Sequence, residues 1–470
     1  MQIRKTLLAA SLCLACTGAF AEGFDVVVIG SGGAGLSAGI MAKEAGASTV
    51  VLEKQAYLGG NTNFASGGMN AAGTKQQLAA GVTNDSPEIF FNDTMKGGHN
   101  LNNPALLKTL TENAKYSEEW LLDLGANFCF RKGRGGGQSV ARSHGPCDGS
   151  PVGPEVLRVL LKKADAVKLD IRKQNQVVDI LMKDGKVSAV KVKTPKGEET
   201  IDAKAVVLAT GGFGANLDMV TKYRPELKGF STTNHPGAQG EGLELAAKLG
   251  ASFTDIEQIQ IHPTVVKKDG HLISESMRSR GGILLNHEGN RFCNELLTRD
   301  VVSQHVLKQT GGEAFIVYDQ SIFDSNKLSR GYFEDGYAVK GDTLEDLAKK
   351  LEMPVENVKK TFEAYWTAAK TGKDEAFGRP EMVIPLDKAP YYAVKITPGI
   401  HHTMGGVTID PETHVIGKDG KAIPGLFAAG EVTGGVHGGN RIGGNAVSDI
   451  VTFGRIAGTN AAAYAGHSGK

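Results

Sequence analysis

Gly30, Gly32 and Gly35 stand at G-x-G-x-x-G spacing, and Glu53 follows about twenty residues on. The physical demand behind that spacing is specific. The first glycine turns the chain, the second lets backbone approach a pyrophosphate, and the third lets a helix pack on a strand. The helix start then presents unpaired N–H groups and the positive end of its dipole to the phosphates. Glu53 is placed to accept hydrogen bonds from a ribose diol, which favours an unphosphorylated adenosine ribose. Further on, Glu275 and Arg278 are spaced i, i+3 and share one face if their segment is helical. Arg299 is followed by Asp300, so a surface ion pair is its plainest reading from its neighbours alone. Isolated histidines such as His402 and His437 are read as structural.

The elements that must position these residues are legible around them. Phe24–Gly30 is a continuous apolar run, the pattern of a strand buried on both faces of a parallel sheet. A helix is predicted from about Gly33 to Ala45, then a second strand at Thr49–Leu52 ending in Glu53. Val177–Val190 predicts two strands around an Asp184-Gly185 hairpin turn. Ala205–Thr210 and Leu426–Glu431 are apolar strands running into glycine-rich turns, and a last helix starts near Ala446. Between Glu257 and Ile400 the chain becomes more charged, with amphipathic helices predicted at Thr343–Leu351 and Val355–Lys370. That change of character marks a second domain inserted into the first.

The chain opens with Arg4 and Lys5, an apolar run from Leu7 to Cys16, and Ala19-Phe20-Ala21. This is the order of a secretory signal cleaved near Ala21, and the apolar run is too short for a membrane span. An uncleaved anchor is the alternative. Loss of Arg4 and Lys5 takes the formal net charge from +1 to −1, which gives no electrostatic reason to expect nucleic acid or membrane as a partner. There is no C-x-x-C-H, hence no c-type haem attachment, and no metal site is expected. Cys129, Cys147 and Cys293 remain after cleavage. A Cys129–Cys147 disulfide is compatible with an oxidising compartment; three buried thiols is the plainer reading.

Eight stretches together resemble the FAD-dependent fumarate reductase and succinate dehydrogenase flavoprotein superfamily, and within it the periplasmic flavocytochrome c fumarate reductases. They are VVVIGSGGAGLSAG, GGNTNFASGGMN, LATGGFGAN, IQIHPT, LISESMRSRGGILLN, RFCNELLTRDVVS, PGIHHTMGGV and LFAAGEVTGGVHGGNRIGGNAVSD. The resemblance covers essentially the whole chain behind the signal. It implies an α/β, Rossmann-like FAD-binding domain (residues 22–256 and 402–470) with an inserted α+β capping domain (257–401) behind a signal peptide (1–21). It also implies reduction of an activated alkene, most simply fumarate.

Two departures matter. Flavocytochromes of this branch carry a multihaem domain, whereas here the signal joins the flavin domain directly, so electrons are expected from a separate periplasmic multihaem cytochrome c. Membrane-bound relatives attach FAD through a histidine in the second glycine-rich stretch, where this chain has Asn61-Thr62-Asn63-Phe64. FAD is therefore expected to bind without a covalent link.

By this resemblance Arg299 matches the proton donor, and Glu275 and Arg278 match the relay that resupplies it. An arginine is ordinarily a poor acid, with a pKa above about 12, so it can serve only if held against the nascent carbanion. Arg441 and His401 match the grip on one substrate carboxylate, and His262 and Ser274 the grip on the other. Relatives commonly have threonine where Ser274 stands. Ala34, Asn61, Thr62, Gly67 and Gly68 are expected to wrap the pyrophosphate and flavin ring. Val178 is expected at the adenine, Glu431 at the ribityl or ribose hydroxyls, and Ala446 and Val447 at the flavin pyrimidine oxygen; Glu241 is a further candidate. His144 lies in a family-like loop without an assignable role. Urocanate-reducing relatives do not keep a histidine at the His262 position, so its presence favours a dicarboxylate. Acrylate, methacrylate or urocanate-type reduction is the alternative within the family. A non-catalytic electron-transfer flavoprotein is the alternative outside enzymes, and it needs no carboxylate grips. Amino-acid oxidation conflicts with export, and steroid dehydrogenation with the charged grips.

Overall fold

A computed structural model describes residues 22–382 and 384–467. The expected signal segment lies outside the described residues. The strand Glu22–Ile29 runs parallel to Thr49–Glu53 on one side and to Gly197–Leu208 on the other. Val26, Val27 and Val28 are fully buried, as expected for a strand covered on both faces. The parallel order extends through Ala422–Ala428 beyond Gly197–Leu208 and through Asp170–Lys173 beyond Thr49–Glu53. The hairpin Gln176–Lys183 and Lys186–Thr194 forms as expected, with Asp184 and Gly185 both at positive φ. It joins the sheet antiparallel to the start of Gly197–Leu208.

The helix Gly33–Glu44 follows the glycine loop and packs along the C-terminal helix Asn445–Tyr464. Contact is close enough that a Cβ on Gly458 would fall 2.1 Å from the Ala38 carbonyl oxygen. The last helix is thereby fixed against the first, and its N-terminus is brought to the loop that opens the chain.

A second, antiparallel sheet is built from Ile259–Val265, Ile283–Leu285, Ala314–Asp319, Ala338–Gly341 and Tyr391–Thr403. The first half of Tyr391–Thr403 pairs with Ala314–Asp319 and Ala338–Gly341, and its second half with Ile259–Val265. Leu344–Lys350 and Val355–Thr371 are helices, within a residue or two of the expected bounds. Thr343 caps the first of them, accepting from Asp346 N at 3.1 Å. The apolar residues of this part form their own core, all between Ile273 and Ile396, whereas Ile259, Ile261 and Ile400 belong to the core of the parallel sheet. The long strand thus ties the two bodies together.

The reading of three buried thiols is overturned. Cys129 and Cys147 form a disulfide, and only Cys293 is a buried free thiol among the described residues. The cause is a pairing the sequence did not disclose. Phe128–Arg131 and Ser143–Pro146 are antiparallel with Cys129 opposite Gly145, which carries the next turn back to Cys129. The loop closed has a sequence separation of 18 residues, for which chain entropy implies about 3 kcal/mol. Replacing both cysteines by serine is expected to lower the thermal midpoint measurably, and adding reductant to the parent protein should reproduce the shift. An unchanged midpoint would remove the stabilising role.

Candidate active site

Gly30 ends its strand at φ +105°, and a Cβ there would stand 2.4 Å from the Ala209 carbonyl oxygen. Only glycine makes this turn. Gly35 packs directly against it, with a Cβ position 1.9 Å from the Gly30 carbonyl oxygen. Gly32 is different. A Cβ there would meet only Thr62 Oγ1 and the Gly59 carbonyl at 3.6 and 3.7 Å, so packing of the chain on itself does not require glycine. An added Cβ at Gly67 or Gly211 meets nothing within 4 Å. These backbones border one continuous cavity.

Acceptors and donors converge on the same space. Glu53 Oε2 accepts from Ser31 N at 3.1 Å and Ser31 Oγ at 2.6 Å, which fixes the carboxylate beside the glycine loop. Thr62 Oγ1 accepts from Gly33 N at 3.0 Å. Asn61 Nδ2 donates to Asn234 Oδ1 at 2.7 Å and to Glu431 Oε2 at 3.3 Å. Burial pushes the Glu431 carboxyl above the usual carboxylate range, although Thr403 and Asn61 donate to it. Glu241 pairs with Lys54 at the cavity wall.

Gly30, Gly32, Ala34, Glu53, Asn61 and Thr62 all line this one cavity, as do Gly67, Gly68, Glu241, Glu431, Ala446 and Val447. Gly35 and Val178 do not line it. Gly35 is spent on packing, while the neighbour Val177 takes the wall position and the Val178 carbonyl accepts from Lys248 Nζ at 3.4 Å. The open glycine backbone and the fixed carboxylates fit a dinucleotide running from the glycine loop toward the far end of the cavity.

That far end carries the charged residues. Arg299 begins the helix Arg299–Leu307. Its Nε donates to Glu275 Oε2 at 2.6 Å and its Nη1 to Gln260 Oε1 at 3.1 Å, leaving Nη2 without a hydrogen bond among the described residues. The surface pair with Asp300 does not form: Arg299 is spent on Glu275 and Gln260, and Asp300 meets His99 at 2.9 Å instead. Glu275 Oε1 accepts from Gly136 N at 2.7 Å. Arg278, on the same short helix Glu275–Arg280, is wholly buried and donates to the Glu295 carbonyl at 2.6 Å. Its Nη2 stands 3.8 Å from Glu275 Oε2, an ionic contact rather than a hydrogen bond.

His262 is fully buried, with Nδ1 toward Thr264 and Nε2 unpartnered among the described residues. Its ring meets that of His401 edge-on at 5.0 Å. His401 Nδ1 lies 2.7 Å from Thr233 Oγ1. Arg441 donates through Nη1 to the Ile442 carbonyl at 3.3 Å, and its Nε has no partner among the described residues. Ser274 caps the short helix through Ser276 N. His262, Ser274, Glu275, Arg299, His401 and Arg441 line the same cavity as the glycine loop, and Arg278 does not.

A family of FAD binding domains matches residues 25–447. The chain belongs to the FAD-binding fumarate reductase flavoprotein family. It is 46% identical over 442 residues to a "Fumarate reductase (cytochrome)" of Shewanella frigidimarina, covering 94% of this chain and 77% of that one. The solved open conformation of a flavocytochrome c3 fumarate reductase superposes with a TM-score of 0.77 at 46% identity, over 94% of this chain and 79% of that one. A urocanate reductase of Eggerthella lenta is 35% identical, over 94% of this chain and 75% of the relative. This flavoprotein is an FAD-dependent oxidoreductase acting on carbon–carbon double bonds, of the fumarate reductase type. No helix of the described residues is long and apolar enough to cross a membrane.

Within the flavoprotein the site electrostatics are one-sided. Burial alone would raise the Glu275 carboxyl, but the Arg299 and Arg278 guanidiniums and the Gly136 N–H hold it down at about 2. Burial, reinforced by Arg299, lowers Arg441 to about 9, still protonated at neutral pH. His262, His401 and His402 are all held well below the usual imidazole range, by burial first and then by the neighbouring cations. His144, bonded to Thr74 in a buried strand, is lowered by burial to about 4. These rings are neutral in the folded chain and take protons near pH 6.5 once unfolded. Stability is therefore lost as pH falls below 6.5, by up to about 1.4 kcal/mol per histidine per pH unit. The thermal midpoint of the holoprotein is expected to drop between pH 7 and 5.5; a flat profile would contradict neutral histidines.

Three contributors escaped the sequence reading. Gln260 links Arg299 to the opposite wall, donating to Asn440 Oδ1 and the Arg441 carbonyl, each at 2.7 Å. It lies two residues before His262 on a strand, so period-two alternation could have found it. Gly136 belongs to a glycine-rich loop that carries no family signal of its own. His402 was read as structural, yet it lines the cavity with Nδ1 unpartnered among the described residues. His437, bonded to Asp449 at 3.1 Å, fits the structural reading.

Proposed function

We propose that this flavoprotein reduces fumarate to succinate, using the cavity end lined by Arg299, His262, His401 and Arg441. The observation that carries this is the arrangement of Arg299. Glu275 and Gln260 hold two of its nitrogens, and the third is left for a substrate. Bound FAD supplies hydride chemistry at a carbon–carbon double bond. Everything else falls to side chains. Arg441 and His401 grip one carboxylate, His262 and Ser274 the other, and the cations oppose the enolate-like charge that develops. Arg299 gives its proton to the second alkene carbon and is reprotonated from solvent through Glu275, a carboxylate that takes up a proton and passes it on, with Arg278 steadying it.

FAD binding is non-covalent in this reading, because Asn61-Thr62-Asn63-Phe64 offers no histidine for attachment. The residues 22–256 and 402–470 form the FAD domain, and 257–401 a cap whose closure excludes water. The separate cores support two bodies, although Ile259, Ile261 and Ile400 at the ends of the cap pack with the FAD domain. The protein works in the periplasm, behind a signal cleaved near Ala21, and takes electrons from a separate multihaem cytochrome c. Support for that donor is the cytochrome named in the Shewanella relative. The test is anaerobic: reduced methyl viologen should be reoxidised on adding fumarate, and far more slowly with acrylate, methacrylate or urocanate. Absence of fumarate turnover would sink the proposal, and faster turnover of a monocarboxylate would reassign the substrate.

A further inference from the structure

A second cavity opens on the far side of Glu275. It shares Gly67, Gly68, Glu275, Arg299 and Gly444 with the main cavity, so both reach the same Arg299–Glu275 pair. Its other charged lining residues are Arg131, Lys132 and Arg280, all cations. Glu275 is the only carboxylate on its wall among the described residues, and Arg299 already engages it.

The three outer cations are not neutralised by ion pairs among the described residues. Arg131 donates to the Gly67 carbonyl at 2.9 Å and the Ser150 carbonyl at 3.4 Å, and Arg280 to Ser325 Oγ at 3.4 Å. Burial first, and then the nearby Arg280, pull the Arg131 guanidinium down to about 10. Asp148 offsets Arg131 only in part, because it is itself paired with Lys327. The wall is also anchored. Arg131 ends the strand that the Cys129–Cys147 disulfide pins, and the following loop is tied across by Gly136 to Glu275 and by Arg134 to Glu381 at 2.6 Å. A rigid chamber with surplus positive charge, leading to the proposed proton donor, suits a small dianion and repels cations.

We propose that this second cavity is a dicarboxylate site distinct from the reaction site, an anteroom in which Arg131, Arg280 and Lys132 capture substrate or hold product on its way past Arg299. The proposal rests on the main cavity being the dicarboxylate reaction site. None of the three cations touches the reacting end, so their effect is on capture and not on the chemical step.

The holoenzyme variant Arg280→Gln provides the main test, because Arg280 is half-buried and makes one long hydrogen bond. Arg131→Gln is the second variant, with Arg131→Lys as the conservative control. With methyl viologen as donor, kcat should stay within twofold of the parent. At low ionic strength kcat/KM for fumarate should fall about tenfold, in the range electrostatic steering supplies, and the deficit should close with added salt. Arg131→Lys should restore most of it. An unchanged kcat/KM and salt dependence in both glutamine variants would overturn the proposal. So would a parallel fall of kcat and FAD content that Arg131→Lys does not rescue. Should the parent not reduce fumarate at all, the proposed function fails, and calorimetric titration of the oxidised holoenzyme with succinate decides the second site. Two succinates per chain, one lost in Arg280→Gln and the other in Arg441→Gln, would uphold it; one succinate, indifferent to Arg280→Gln, would overturn it.

Discussion

Arg299→Ala is expected to lower fumarate turnover by about 10⁴-fold or more while leaving the flavin absorption spectrum intact. Two losses combine. A positioned proton donor contributes about 10²–10⁴ in rate, and removing a preorganised donor aimed at developing charge costs a further 10²–10³. The nucleotide cradle is untouched, since Arg299 makes its hydrogen bonds to Glu275 and Gln260 and to none of the glycine-loop residues. Arg299→Lys should recover only part of the loss. Lysine keeps the charge, but one ammonium cannot reach Glu275, Gln260 and substrate in the fixed fork of a guanidinium. Measurement of single-turnover flavin reoxidation by fumarate separates the chemical step from binding. An Arg299→Ala enzyme that turned over at the parent rate would remove Arg299 from the mechanism altogether.

The sequence was most informative where one local segment carries a complete physical demand. Gly30, Gly35, the strand before them and Glu53 belong to one compact unit, and pattern reading placed all of it. The C-terminal helix and the two amphipathic helices near Thr343 and Val355 were legible for the same reason. What escaped was set by contacts between distant segments. Gln260 matters because it meets Arg299 and Arg441, separated from it by 39 and 181 residues. Gly136 matters through an N–H that any residue type possesses, and it reaches Glu275 across 139 residues. Cys129 and Cys147 were a matter of strand register. Arg278 shows the opposite limit. Its i, i+3 spacing from Glu275 was read correctly as one helical face, but a six-residue helix leaves the two side chains 3.8 Å apart. Its expected part in the relay is therefore electrostatic unless the cap moves.

Glu275→Gln is expected to damage both stability and turnover, and the way it damages stability is diagnostic. Glu275 faces Arg299 and Arg278 directly, and Arg441 also feels its charge. The nearby Glu295 cannot substitute, being held by Arg291 at 2.9 Å and Arg379 at 3.0 Å. Glutamine keeps the shape and an acceptor oxygen but leaves buried guanidiniums uncompensated. Breaking a buried ion pair from one side costs about 3–5 kcal/mol, or roughly 3–5 °C in thermal midpoint for a chain of this size. The pH signature follows from the depressed carboxyl. In the parent its contribution is fully present above the unfolded value of 4.5 and is lost as pH falls toward about 2; the variant has no such contribution to lose. Succinate, which brings two negative charges to the same cations, should stabilise Glu275→Gln more than it stabilises the parent. Turnover should still fall by at least about 10²-fold, because a neutral amide can balance charge only through the ligand and cannot pass a proton to Arg299. Equal stabilisation of both proteins by succinate would mean that Glu275 does not balance the cations that grip the substrate.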